Sequence, residues 1–138
     1  MQTNQALLGF DFGKKRIGVA TGQTITQSAN PLITLSAKQG APDWEAIETL
    51  IQEWQPNALV VGIPYHMDGS EQPMTLAAER FCRQLEGRFN LPVHRADERL
   101  SSVQAESLLK EQGDSSSKID AVAAQIILES WLQQKGTR

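Results

Sequence analysis

The chain has 138 residues, 40% hydrophobic and 21% charged, with a net charge of −3 and one cysteine. That composition suits one globular domain, spanning 1–138, that buries its own core; it excludes an internal disulfide, and no apolar run reaches the roughly 18 residues a membrane-spanning helix needs. By bulk charge alone it also argues against nucleic acid as partner, because neutralising phosphates takes clustered Lys and Arg. The opening Met1-Gln2-Thr3-Asn4-Gln5 lacks the basic and apolar regions of a secretion signal, and lone Cys82 suits a reducing compartment, so a cytoplasmic location is expected.

Ala6-Leu7-Leu8-Gly9-Phe10-Asp11-Phe12 reads as an apolar strand with one acid inside it. An ionised carboxylate taken out of water is costly unless a cation or donors meet it, so Asp11 reads as a charge placed for a purpose. Gly13 permits a tight turn, and after Lys14-Lys15-Arg16 residues 17–20 form the second strand of a hairpin. Residues 30–35 read as a third strand, and Gln39-Gly40-Ala41-Pro42 as a break. Trp44, Ile47, Leu50, Ile51 and Trp54 recur at the helical period over 43–54. Residues 58–63 are continuously apolar, as in a strand covered on both faces.

A turn-rich loop over 64–73 follows, then a helix over 74–89 with Ala77, Phe81 and Leu85 inward. Residues 91–96 give a weaker strand, with Pro92 at its start or on an edge. Ser101 and Gln104 suggest a capping box for a helix through Gln112, closed by Gly113. Residues 114–117 read as a polar loop, and 119–134 as the last helix, with Val122, Ala123, Ile126, Ile127 and Trp131 buried. The order β-β-β-α-β-α-β-α-α, with crossovers after the fourth and fifth strands, makes the chain α/β with a five-stranded mixed sheet and helices on both faces.

Sites in such sheets form at the carboxyl ends of strands. Asp11 lies near the end of the first strand, Asp97-Glu98 follow the fifth, and Asp120 is expected to open the last helix, where the amides favour an anion. Three carboxylates brought together repel and rise in pKa unless a cation neutralises them. A hard divalent ion is their natural partner, Mg²⁺ best or else Mn²⁺, and such ions support phosphodiester hydrolysis. The plainer alternative is that Asp120 is a first-turn helix charge and that Asp97 or Glu98 pairs with Arg99. Asp68, in a loop of Pro, Asp and Gly, is a lesser acidic candidate and serves as readily to build the turn. His66 and His94 lack a partner at ligand spacing and read as non-catalytic. Cys82 reads as core, and Trp44, Trp54 and Trp131 as core-facing. Arg80, Arg83 and Arg88 read equally as a solvated helix face and as a basic patch.

Three stretches resemble the YqgF/RuvX family, pre-16S ribosomal RNA nucleases related to Holliday-junction resolvases. They are the segment Phe10-Asp11-Phe12-Gly13-Lys14-Lys15-Arg16-Ile17-Gly18-Val19-Ala20, the segment from Val61-Gly62-Ile63-Pro64-Tyr65 to Gln72, and Asp97-Glu98-Arg99-Leu100-Ser101-Ser102. Lys118-Ile119-Asp120-Ala121-Val122-Ala123-Ala124 resembles the family's last motif. The resemblance implies an RNase H-like fold and a metal-dependent nuclease that matures the 5′ end of small-subunit ribosomal RNA. It matches Asp11 and Asp120 to the first and last acidic positions. For the middle one Asp97 and Glu98 would point to opposite faces of an extended segment, and analogy with resolvases prefers Glu98. The implied partner is precursor ribosomal RNA or branched DNA, met by a monomer or homodimer; a non-catalytic RNA-binding assembly factor on the same scaffold and a nucleotide-binding or phosphotransfer protein are the other readings. Only Asp114-Ser115-Ser116-Ser117 separate Gly113 from Lys118, where the family carries a longer Lys-rich loop. Lys14, Lys15, Arg16, Arg99 and Lys118 are therefore expected to carry the phosphate contacts.

Overall fold

Strand β1 (Ala6–Phe12) divides its side chains by alternation, with Leu8, Phe10 and Phe12 on one face of a sheet and Leu7, Gly9 and Asp11 on the other. The computed structural model of the chain describes residues 5–38, 41–98 and 116–136. The expected helix over 101–112, its capping box and Arg99 lie outside them. Strand β2 (Arg16–Gln23) returns antiparallel to β1 and sets Gly18 opposite Asp11. Strand β3 (Ser28–Lys38) pairs antiparallel with β2 and is longer at both ends than its apolar centre suggested. It tolerates Pro31 because the register shifts there, at an irregularity opposite Val19 and Ala20.

A further strand, β4 (Ala41–Pro42), pairs with Ala37 and Lys38 at the sheet's edge, so among the described residues the sheet has six strands rather than five. Two residues carry no periodic signal, and these belong to the stretch that reads as a break. Strand β5 (Ala58–Ile63) lies parallel to β1, and β6 (Val93–Asp97) parallel to β5, giving the order β4-β3-β2-β1-β5-β6. Pro92 falls before β6, where its missing N–H costs no ladder bond. Because β1, β5 and β6 run the same way, their carboxyl ends share one pole.

Helices α1 (Trp44–Trp54) and α2 (Pro73–Phe89) cover the face of Leu8, Phe10 and Phe12, with Ile17, Val19, Leu59, Val61 and Ile63 in the same core. Phe81 is its centre, 5.6 Å from Phe10 edge-on, 4.9 Å from Phe12 and 5.7 Å from the stacked Trp44 ring. Cys82 is fully buried beside it, and burial pushes its thiol up to about 12, which makes it an inert core residue as expected. Asp43 caps α1 by accepting from the Ala46 N–H at 3.2 Å. Trp54 departs from its core-facing reading: it ends α1 with 44% of its surface exposed. The hydroxyl of Thr75, wholly buried, donates to the Pro64 carbonyl and accepts the Gln72 N–H at 3.0 Å, tying the start of α2 to the end of β5.

Helix α3 (Ser116–Gly136) covers the opposite face with Ala124, Ile127, Leu128 and Leu132 against Leu7, Ala20, Ala58, Val60 and Ala96. It begins three residues before the expected start, so Ser116 and Ser117 are helical and not a loop, and Asp120 sits in the second turn instead of opening the helix. The sheet beneath is paved with small residues, which lets the helix lie close. A methyl group on Gly18 would come within 1.9 Å of the Asp120 carbonyl oxygen.

Candidate active site

Asp11 owes its position to alternation: two residues beyond Gly9, it points to the α3 face at the carboxyl end of β1. Directly across the ladder, Gly18 has no side chain, and the backbone at Asp120 seats in the space. On the other flank Phe10 registers with Val61 of β5, and Gly62 with Ala96 of β6. Glu98, just past β6, folds its side chain over Gly62; a Cβ there would stand 3.0 Å from Glu98 Cγ and 3.1 Å from its Oε2. Two strand glycines thus make the seats on which the second and third acids approach the first. Glycine inside an otherwise apolar strand was the available signal for both, since it marks a close approach.

The electrostatics follow from this crowding. Burial pushes the Asp11 carboxyl up to about 8, with the Glu98 and Asp120 charges adding to the effect. Burial likewise pushes Glu98 up to about 7, helped by neighbouring Asp97. Asp97 registers with Ile63, a member of the α1/α2 core, while Glu98 covers the α3 face, as alternation requires. Asp120 is answered differently: Arg16 Nε donates to its Oδ2 at 2.6 Å, a pair with 47% and 23% of its side chains exposed. The helix terminus expected to steady this anion is a turn away, and a cationic side chain does it instead. Among the described residues, no three acidic, histidine or cysteine side chains are gathered tightly enough to cage a metal ion as they stand.

The remaining candidates are dispersed. Lys14 and Lys15 are exposed in the β1–β2 turn, at the same pole as Asp11. Lys118 lies in the first turn of α3. Asp68 is exposed in the loop after β5, and its Oδ1 accepts from the Ser70 N–H at 2.9 Å and hydroxyl at 2.6 Å, which hold its carboxyl below the usual range. Its observed job is building that turn. The ring of His94 stacks on Trp131 at 4.8 Å. A cavity of about 280 Å³ lies at the opposite pole, at the start of β1, lined by residues including Thr21, Gln23, Ser28 and Trp54 and, among the described residues, by no charged side chain.

A family model described as "RuvX: Holliday junction resolvase" matches residues 5–134. Among curated proteins, the "Putative pre-16S rRNA nuclease" of Coxiella burnetii is 54% identical over 134 residues, covering 96% of this chain and 95% of its own. The Legionella pneumophila protein of the same name is 54% identical over 131 residues, covering 92% and 94%. Among solved structures, Thermus thermophilus RuvC bound to a Holliday junction superposes with a TM-score of 0.55 at 15% identity, over 96% of this chain and 97% of that one. The yeast mitochondrial Holliday junction resolvase gives 0.56 at 11% identity, over 92% and 77%. These likenesses give the chain an RNase H-like, RuvC-like fold.

Proposed function

The chain belongs to the RuvX family, and on that footing we propose that it is a nuclease that hydrolyses phosphodiester bonds of precursor 16S ribosomal RNA in the cytoplasm, with a divalent ion, Mg²⁺ or Mn²⁺, as cofactor. One observation carries the reading. Glu98 and Asp120, both remote in sequence from Asp11, lie close enough to it at the carboxyl pole of the parallel strands for their charges to bear on it. The donor set fits the group: oxygen ligands from carboxylates, two of them unfavourable as bare anions, are what a hard divalent ion compensates. The third is already matched to a cation, the Arg16 guanidinium, in a half-exposed pair of the kind worth about 1 kcal/mol or less.

When bound, the ion would be held by Asp11, Glu98 and Asp120 and would supply an activated water and compensation of charge at the phosphate. The chain's own residues do the rest. In the cation's absence Asp11 is largely protonated at neutral pH and Glu98 partly so, and the remaining protons leave when the cation arrives. Arg16 partners the Asp120 carboxylate until the cation takes its place. Lys14, Lys15, Arg99 and Lys118 contact phosphates flanking the cut. Cleavage of branched DNA is a second reading, favoured by the description of the family model.

A paired assay tests both. An RNA spanning the 5′ boundary of the small-subunit sequence and a four-way DNA junction are incubated with the protein, with and without Mg²⁺. The RNA is expected to yield Mg²⁺-dependent products that Asp11→Asn eliminates, lowering the rate by a factor of at least about 10³. Products from the junction alone would move the assignment to DNA. RNA retained without cleavage would favour an assembly factor, and undiminished cutting by the variant would remove Asp11 from the site.

A further inference from the structure

The outer face of α2 belongs to none of this machinery, yet its charge is peculiar. Arg95 of β6 reaches across to both acids of the helix, Glu79 at 3.0 Å and Glu86 at 3.3 Å. Those two carboxylates are thereby spent on the flank facing β6. Arg80 and Arg83 are exposed and, among the described residues, make no hydrogen bond or ion pair. Arg88, a turn further on, lies with its guanidinium 4.2 Å from the Trp44 ring centre, a cation–π contact that leaves its charge uncancelled. Neighbouring α1 has the opposite character, with exposed Glu45, Glu48 and Glu53 and no basic residue. One face of a net-acidic protein therefore carries an unneutralised cationic row beside an anionic one.

We infer that this face of α2 is a second contact surface for the substrate, taking the phosphodiester backbone of single-stranded RNA through Arg80 and Arg83. The inference rests on the nuclease reading for the identity of the polyanion, and on the surface itself for its place. Residues three apart on a helix hold their side chains about 5–6 Å apart, a spacing that neighbouring phosphates of an extended strand can meet. The charges are guanidiniums, whose planar fork suits phosphate oxygens. The acidic flank on α1 repels a polyanion and confines it to the α2 row. Helix α2 also starts directly after the loop leaving β5 at the carboxylate pole. Arg80 is seven residues from Pro73, about 10 Å along the axis, so a strand that passes the acids and crosses this loop reaches the row within a few nucleotides. Short substrates would end before it.

The test uses the full chain and its Arg80→Gln/Arg83→Gln variant. Binding of a fluorescein-labelled oligouridylate of about 20 nucleotides is followed by anisotropy from about 50 to 300 mM KCl. Each lost phosphate contact on a single strand removes about 0.7 from the slope of log affinity against log salt, so the variant is expected to lose about 1.4, with roughly tenfold weaker binding at low salt. A uridine dinucleotide, too short to reach from the acids to both arginines, should show no such change of slope. An unchanged slope and affinity for the longer probe would overturn the inference. So would unchanged RNA binding with lost binding of a polyglutamate peptide, which would assign the face to an acidic protein. Asp11→Asn is carried alongside: if it still cuts, the catalytic reading fails, while the slope difference independently decides the α2 surface.

Discussion

A carboxyl group in an apolar strand has two stable forms, protonated or opposite a cation. When no ion is present, Asp11, pushed up to about 8, is mostly in the first form at neutral pH, and Glu98, pushed up to about 7, is divided between protonated and charged forms. Both acids titrate near pH 4 in the unfolded chain. The folded state thus holds protons that the unfolded state has released, and stability falls as pH rises across this interval. The contribution is fully present below about pH 4 and is lost by the time pH passes 7 to 8. In chelator, the protein should therefore melt at a lower temperature at pH 8.5 than at pH 6. Asp11→Asn, which cannot ionise, should flatten that decline and be more stable than wild type at pH 8.5 by on the order of 1 kcal/mol or more. Scanning calorimetry across the pH range measures both. Equal slopes for the two proteins would mean that Asp11 is already matched to a cation or donor of the chain's own.

Elements bring these residues together, and Gly18 is where that is most exposed to test. Its α-hydrogen occupies the position from which a methyl group would press on the Asp120 carbonyl at 1.9 Å, a backbone atom that moves only if α3 moves. Gly18→Ala should destabilise the fold by about 3 kcal/mol, in the overpacking range, and should reduce cleavage beyond what the lost stability explains, because Asp120 shifts with its helix. Denaturant unfolding and turnover measured well below the melting point separate the two effects; a fully active, fully stable variant would show that α3 has slack there. Much of this layer was legible in the residues. Leu8, Phe10 and Phe12 against Leu7, Gly9 and Asp11 state a strand and its two faces, and Ile47 with Leu50 states a helix. Strand β4 was not, since two residues have no period. Nor was the exposure of Trp54, because helical spacing marks a side on which a terminal residue can still overhang the core.

At the scale of the whole molecule, what the residues could not state is distance. Asp11, Glu98 and Asp120 come from the start, the last third and the end of the chain, and two crossovers separate them. Strand alternation placed Glu98 and Asp97 on opposite faces, but only the folded register could reveal that Arg16 would reach Asp120. That pair makes a further behaviour predictable. An ion bound by all three acids cross-links three distant segments of the folded state and nothing in the unfolded one, so Mn²⁺ should stabilise the protein by mass action. At a concentration about 100 times its dissociation constant the gain is about 2.7 kcal/mol, a rise on the order of 10 °C for a domain of this size. The rise should be larger at pH 8 than at pH 6, where protons compete for Asp11 and Glu98, and absent in Asp11→Asn. Arg16 competes as a resident cation for Asp120, so Arg16→Gln should bind Mn²⁺ more tightly and melt higher at the same concentration. If that variant instead loses its response to Mn²⁺, Arg16 does not compete with the ion but holds Asp120 where the ion needs it.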